Sequence, residues 1–238
     1  MKELEEIKKV SNLWDPVYDR FNSKESGRNS VWNEKPTPFF VRNIDYLKHL
    51  GIEKYGVMGC GDGRNIKPFL DAEFQVIAID GSESAIKACE KLYVPNKNLI
   101  LMQGILENTQ LESNSLDALM CDHVLIHIEN INKVITEFRR VLKPGGCALI
   151  EFSSLLDSIF GQGVKLSDNV YIKENFYQRF DTIGDIHKHM KGFEICSIAA
   201  EYSTDPKHGK GYIREGRHMH HSYFVFAKKP KQNPAHQQ

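Results

Sequence analysis

Short apolar runs alternate with segments of helical period through the middle of this chain. Tyr55–Gly59, Gln75–Asp80, Asn98–Gln103, Leu116–Asp122 and Gly146–Ser153 are each of strand length and mostly apolar. That pattern belongs to strands buried on both faces of a parallel sheet. Between the last two runs, Ile131, Val134, Ile135, Phe138, Val141 and Leu142 share one helical face, opposite Asn132, Lys133, Glu137 and Arg140. Lys143-Pro144-Gly145-Gly146 stops that helix and opens a tight turn. Ser82 can cap a helix carrying Ala85, Ile86, Cys89 and Leu92.

After the fifth run the alternation changes. Ser154–Tyr177 reads as an irregular, glycine-containing insertion, and Asp181 as the cap of a short helix reaching Met190. Two longer apolar-rich runs, Phe193–Glu201 and His221–Lys228, flank a polar loop and predict an antiparallel pair closing one sheet edge. The fold class is therefore α/β: a doubly wound, seven-stranded, mostly parallel sheet with an antiparallel terminal strand pair. Residues 1–50 form an aromatic-rich helical leader with Trp14, Tyr18, Phe21, Trp32, Phe39 and Phe40. It packs either as a helix under the sheet or over the crevice as a lid. The main domain spans 51–230, with a substrate-side insertion at 154–180, and 231–238 reads as a disordered tail.

Composition narrows the class. Lys plus Arg number 31 and Asp plus Glu 31 among 238 residues, so no global field draws the protein to nucleic acid or an anionic membrane. The stretch from Lys207 to Lys231 is locally rich in Lys, Arg and His, either a solvated surface or a rim for an anionic substrate. The five cysteines are dispersed, without a C-x-x-C pair, as reduced core residues would be. The charged first ten residues do not read as a secretory signal, and no apolar run approaches the ~20 residues needed to span a bilayer. A cytoplasmic protein is expected, with no membrane partner and an oligomeric state left open.

The chemistry begins at Gly59-Cys60-Gly61-Asp62-Gly63-Arg64-Asn65, between the first apolar run and an amphipathic segment. Three glycines there let a ligand lie against bare backbone. Asp80, at the tip of the second run, can accept both hydroxyls of a ribose. The third glycine comes one residue early for a dinucleotide fingerprint, Arg64 would crowd a pyrophosphate, and Pro68 limits the following helix. A nucleoside cofactor other than a dinucleotide fits better.

These motifs are similar to those of class I S-adenosylmethionine-dependent methyltransferases. The glycine motif resembles the family's first motif and Asp80 its second-strand acid. Ser115 to Ile128 resembles the fourth-strand motif, and Arg140-Val141-Leu142-Lys143-Pro144-Gly145-Gly146 the turn before the fifth strand. The likeness covers roughly residues 54–152 and implies a Rossmann-like methyltransferase fold with S-adenosyl-L-methionine as cofactor. It assigns Gly59, Cys60, Gly61, Gly63 and Asn65 to the turn beneath the methionine and ribose, and Asp80, Gly81 and Ser82 to the ribose. Gly104, Ile105 and Leu106 would flank the adenine, and Cys121 to Val124, His123 among them, the sulfonium. Val57 and Ile105 stand where the family often has acids; Glu107 is close enough to substitute for the second. The glycine motif and the leader tryptophans most resemble the tellurite-resistance and thiopurine-type branch, which implies soft nucleophiles.

His123 is the first candidate for a general base, placed at the open C-terminal edge of the sheet, and Asp122 shares its position. Where base-methylating relatives show N-P-P-Y, this chain has Asp122-His123-Val124-Leu125, so nucleic acid is not the expected substrate. His218 and His220 would share a strand face, with His221 and His208 near in sequence. No carboxylate or cysteine completes a ligand set nearby in sequence, and no metal is expected. The reading is a methyltransferase acting on a small-molecule acceptor. The alternatives are a catalytically silent module that binds S-adenosylmethionine or its demethylated product and, less favoured, an NAD-dependent dehydrogenase.

Overall fold

In the computed structural model, residues 2–22, 35–205 and 216–231 are described. Trp32, His208, the side chain of Phe21 and the tail from residue 232 lie outside them. Strands β1 (Lys54–Met58), β2 (Gln75–Asp80), β3 (Leu99–Gln103), β4 (Leu116–Cys121) and β5 (Leu142–Ser153) pair in parallel. A separate antiparallel sheet of three follows: β6 (Val164–Ser167), β7 (Val170–Lys173) and β8 (Phe176–Arg179). Then β9 (Glu194–Asp205) and β10 (His218–Lys228) return to the main sheet, β10 antiparallel to both β5 and β9. The order is β3-β2-β1-β4-β5-β10-β9, the doubly wound seven-stranded sheet with its antiparallel edge.

Both faces of the sheet are covered, which is why its strands read as continuous apolar runs. Along β4 the side chains alternate between two cores: Ala118 and Met120 join Phe40, Tyr55, Phe69 and Phe74 on one face. Leu119 and Cys121 join Ile131, Val134, Phe138 and Ile186 on the other. Helices α1 (Lys2–Asn22), α2 (Pro38–Val41), α3 (Ile44–His49), α4 (Ile66–Asp71) and α5 (Glu83–Tyr93) precede β3. Helices α6 (Ile131–Val141) and α7 (Ile183–His189) come later. Ser82 caps α5 by accepting the Ala85 N–H at 3.1 Å.

The Lys143–Gly146 turn is a looped-out start to β5: Leu142 pairs with Leu116 and Cys147 with Ala118, so four residues stand opposite Asp117. Gly146 has no room for a side chain, since a Cβ would lie 2.8 Å from the Lys143 carbonyl. Asp117 ties the turn down, accepting Lys143 Nζ at 2.6 Å and the N–H groups of Glu53 and Lys54.

Three sequence expectations change. The region 154–177 is not irregular, because it holds most of the three-stranded sheet. Its β6 is exposed throughout, so no apolar period marked it. The cap of α7 is Thr182, one residue beyond Asp181, with Asp185 completing a reciprocal capping box. The leader divides between its two expected places: Phe39 stacks on Phe224 with ring centroids 4.9 Å apart, under the sheet, while α1 runs along the cavity above the strand ends.

Candidate active site

The glycine turn grips the end of β2. The N–H groups of Gly59 and Cys60 both donate to the Ile79 carbonyl, at 2.8 and 2.9 Å. Gly61 adopts φ of +54° and Gly63 +92°, the left-handed region that glycine enters without strain. This turn sets the Gly61 N–H 2.8 Å from Asp80 Oδ2, while Ser82 N–H lies 2.9 Å from Oδ1. The Asp80 carboxyl is thus held square to the cavity with lone pairs to spare. Burial raises its pKa to about 6 against the pull of those two N–H groups.

A cavity of about 320 Å³ opens above these strand ends. Its wall includes Gly59, Cys60, Gly61, Asn65, Asp80, Gly81, Gly104, Ile105, Leu106, Asp122 and His123 of the expected residues, together with Glu107. Gly63, Ser82 and Cys121 are not on it. Gly63 faces α5, where a Cβ would meet Tyr93 and Cys89. The Ser82 hydroxyl donates to Asp15 of α1 at 2.6 Å. Cys121 is buried in the core and its thiol is pushed up by desolvation. The Cys60 thiol is likewise raised, by hydrogen bonding with Cys89 and by burial, so it is an inert filler of the turn.

Asp122 and His123 play different parts. Asp122 Oδ2 accepts from Thr37 Oγ1 at 2.7 Å, Arg64 at 2.7 Å and Asn65 at 2.9 Å. Burial works against its charge, yet His123, Arg64 and these donors hold its pKa below the usual carboxylate value. Such a carboxylate is a fixed anion and a poor proton acceptor at neutral pH. His123 sits in the left-handed region at φ +54°, which turns it out of the strand at the cavity wall. Its backbone N–H donates to Glu151 Oε2 at 3.1 Å. The ring lies between two carboxylates, Nδ1 3.7 Å from Glu151 Oε1 and Nε2 3.9 Å from Asp122 Oδ1.

Glu151 escaped the sequence reading, although a lone acid inside the apolar run Cys147–Phe152 was its signal. It is fully buried in β5 and accepts hydroxyl hydrogens from Ser222 at 2.5 Å and Ser153 at 3.1 Å. Gln178 was missed as well. It lies on the buried face of β8 and lines the cavity. Gln178 Oε1 and Asp122 Oδ1 are buried acceptors with no hydrogen-bond partner among the described residues. Buried acceptors normally find a donor, so a polar ligand fits this wall.

Helix α1 supplies the remaining wall through Lys9, Val10, Leu13, Trp14 and Tyr18. Trp14 packs edge-on against His127 and Phe176, at 4.8 and 4.7 Å between centroids. His127 Nδ1 is bonded to the Tyr177 carbonyl at 2.9 Å, so it serves structure. His218 and His220 alternate along β10 and both line the cavity. There Asp205 of β9 stands beside them, a carboxylate the sequence did not show as near, because strand register brings it opposite His218.

Comparison with known proteins identifies the class. Residues 57–150 match the family model for a methyltransferase domain. The ubiquinone biosynthesis O-methyltransferase of Rickettsia akari is 25% identical over 220 residues, covering 89% of this chain and 81% of that protein. The rat (Rattus norvegicus) thiol S-methyltransferase TMT1B is 34% identical over 93 residues, 37% of this chain and 38% of that protein. A solved S-adenosylmethionine-dependent methyltransferase from Methanosarcina mazei superposes with a TM-score of 0.67 at 14% identity, over 83% of this chain and all of that one. The protein is a methyltransferase. More narrowly, it has the Rossmann-like methyltransferase fold and uses S-adenosylmethionine as its cofactor.

Proposed function

We propose that the protein methylates a hydroxyl group of a small molecule, with His123 as general base. The observation that carries this reading is the His123 ring, on the cavity wall with a carboxylate on either side. A proton taken by the imidazole creates a cation with a carboxyl group within 4 Å on either side. A hydroxyl needs such help because its anion is scarce at neutral pH, and a base contributes about 10²- to 10⁴-fold. The relative that matches most of this chain carries an O-methyltransferase name, while the thiol S-methyltransferase matches a shorter segment.

Bound S-adenosylmethionine supplies an electrophilic methyl on its sulfonium. Asp80 accepts the ribose hydroxyls, its two oxygens aimed by Gly61 and Ser82. Ile105 and Leu106 enclose the adenine, with Glu107 beside them. The turn from Gly59 to Gly61 carries the methionine end, with Asp122 Oδ1 as an acceptor for its donors. Gln178 Oε1 takes a donor group of the acceptor molecule, and Ile126 and α1 exclude water from the junction.

The test uses His123→Asn, because asparagine tolerates the left-handed backbone that alanine would strain. Turnover on a panel of small phenols and thiols should fall about 10²-fold or more for phenols, with affinity for S-adenosylhomocysteine within a few-fold of wild type. Unchanged phenol turnover removes His123 from the reaction. Turnover confined to thiols removes the hydroxyl acceptor.

A further inference from the structure

Strand β8 brings one buried amide to the cavity wall. Burial alternates along it, so Phe176 and Gln178 are buried while Tyr177 and Arg179 are only half-buried. Phe176 packs edge-on against Trp14 of α1, and Gln178, 1% exposed, lines the cavity. The strand is pinned on the His123 side of the site rather than the Asp80 side. The Tyr177 carbonyl lies 2.9 Å from Nδ1 of His127, in the short turn that follows His123. Just beyond β8, the Asp181 N–H donates to the Ser153 carbonyl at the end of β5, at 2.8 Å. Asp80 ends β2, and β1 and β4 stand between β2 and β5. Gln178 Oε1 is buried without a hydrogen-bond partner, and none of the described residues bonds its amide nitrogen. Ile126 and Ile128 line the cavity too and offer the amide nothing to bond. An amide carries donor hydrogens beside an acceptor oxygen, and turning it over exchanges the two ends without removing either demand. Buried polar groups in folded proteins are paired, so both demands fall to a ligand.

We propose that Gln178 pairs with an amide-type edge of the acceptor molecule, an N–H beside a carbonyl oxygen, through two antiparallel hydrogen bonds. The substrates it selects are then hydroxylated amides and lactams. This deepens the reading above, and rests on it for the hydroxyl that receives the methyl. A lone hydroxyl satisfies Oε1 and leaves the amide nitrogen without an acceptor, while an ester or ketone carbonyl does the reverse. A carboxylate turns lone pairs toward Oε1, and an amidine turns N–H groups toward the amide nitrogen. An amide edge answers both ends at once, with the spacing of the glutamine amide itself. A site built around such a bond rejects the analogue that lacks it, because its own buried group is then left unpaired. Gln178 sits opposite Tyr171 in the β7–β8 ladder, so the amide is presented from a hydrogen-bonded strand rather than a loose loop. Two parallel bonds also fix the rotation of the acceptor, which decides whether its hydroxyl oxygen comes into line with the methyl.

The probes are the three hydroxybenzamide isomers, their methyl hydroxybenzoate counterparts, which lack the N–H, and the hydroxybenzamidines, which only donate. Calorimetry on the full chain saturated with S-adenosylhomocysteine measures their binding, and turnover with S-adenosylmethionine their methylation. In wild type the best-bound benzamide should bind at least about tenfold more tightly than its ester. Gln178→Leu should bring that ratio near one. Gln178→Glu, whose carboxylate only accepts, should move the preference to the amidine, a gain that mere loss of packing does not produce. Affinity for S-adenosylhomocysteine, measured on every variant, reports that the fold and cofactor site survive. A wild type that favours the ester, or a ratio untouched by Gln178→Leu, overturns the proposal, as does a Gln178→Glu variant that keeps the amide preference. Methylation of simple phenols without binding of any benzamide sinks this inference and leaves the hydroxyl reading standing. Tight, Gln178-dependent binding of a benzamide that is never methylated leaves the amide site standing and sinks the hydroxyl reading instead.

Discussion

At the scale of single residues, Asp80 shows how a local turn sets chemistry. Its carboxyl accepts two backbone N–H groups, which favour the anion, yet burial wins and its pKa rises to about 6. The anion is the better acceptor for two ribose hydroxyls, so affinity for the cofactor should rise with pH through about 6 and level off above. Calorimetry with S-adenosylhomocysteine from pH 5 to 8 checks this, and Asp80→Asn should flatten the profile while lowering affinity by about tenfold or more. A profile of unchanged slope in that variant would assign the titration to another group. The position of Asp80 against the glycine turn was legible in the sequence because it follows from chain order alone. The partners of Asp122 were not, since Thr37 and Arg64 reach it from 85 and 58 residues away. Nothing in the spacing distinguishes a carboxylate locked by an arginine from one free to take a proton.

Elements divide in the same way. The five parallel strands and α6 were readable because two-sided burial and a one-sided helical face leave strong periods in the chain. β6 and β7 were not, as four-residue strands, one of them exposed throughout, are specified by cross-strand hydrogen bonds rather than by apolar pattern. The start of α7 illustrates a finer limit: Asp181 and Thr182 are both good caps by composition, and the reciprocal bonds with Asp185 select the second. Thr182 and Lys188 hydrogen bonds hold the Asp185 carboxyl at a pKa of about 2, below its unfolded value. The stabilisation is therefore present above about pH 4 and fades as pH falls toward 2. Thr182→Ala should cost about 1 kcal/mol at neutral pH, read from the denaturant midpoint. Asp181→Ala should leave the capping box intact, and a larger loss there than at Thr182 would contradict the assignment.

For the molecule as a whole, α1 is, among the described residues, the one long helix that touches both halves of the site while belonging to neither core. Asp15 bonds Ser82 and Ser84 beside the proposed cofactor subsite, and Trp14 meets His127 and Phe176 beside the proposed acceptor subsite. Its apolar contacts form a small cluster of Tyr18 and Ala85 with Trp14 and Val17, separate from the two cores that flank the sheet. Pro16 within the helix removes a backbone hydrogen bond and strains the preceding turn. A helix with little buried area, an internal proline and a cavity beneath it lies at the low end of local stability. Hydrogen exchange should show the α1 amides opening well before those of β1 and β4 in the free protein. Addition of S-adenosylhomocysteine should then protect α1, because a ligand enclosed between the helix and the glycine turn binds the closed form better and shifts the population by that difference. Trp14→Ala should preserve the exchange of β4, speed that of α1, and raise the dissociation rate of the ligand. Equal protection of α1 and β4 without ligand, unchanged on its addition, would mean the helix is a fixed wall, and acceptor and cofactor would need another way in.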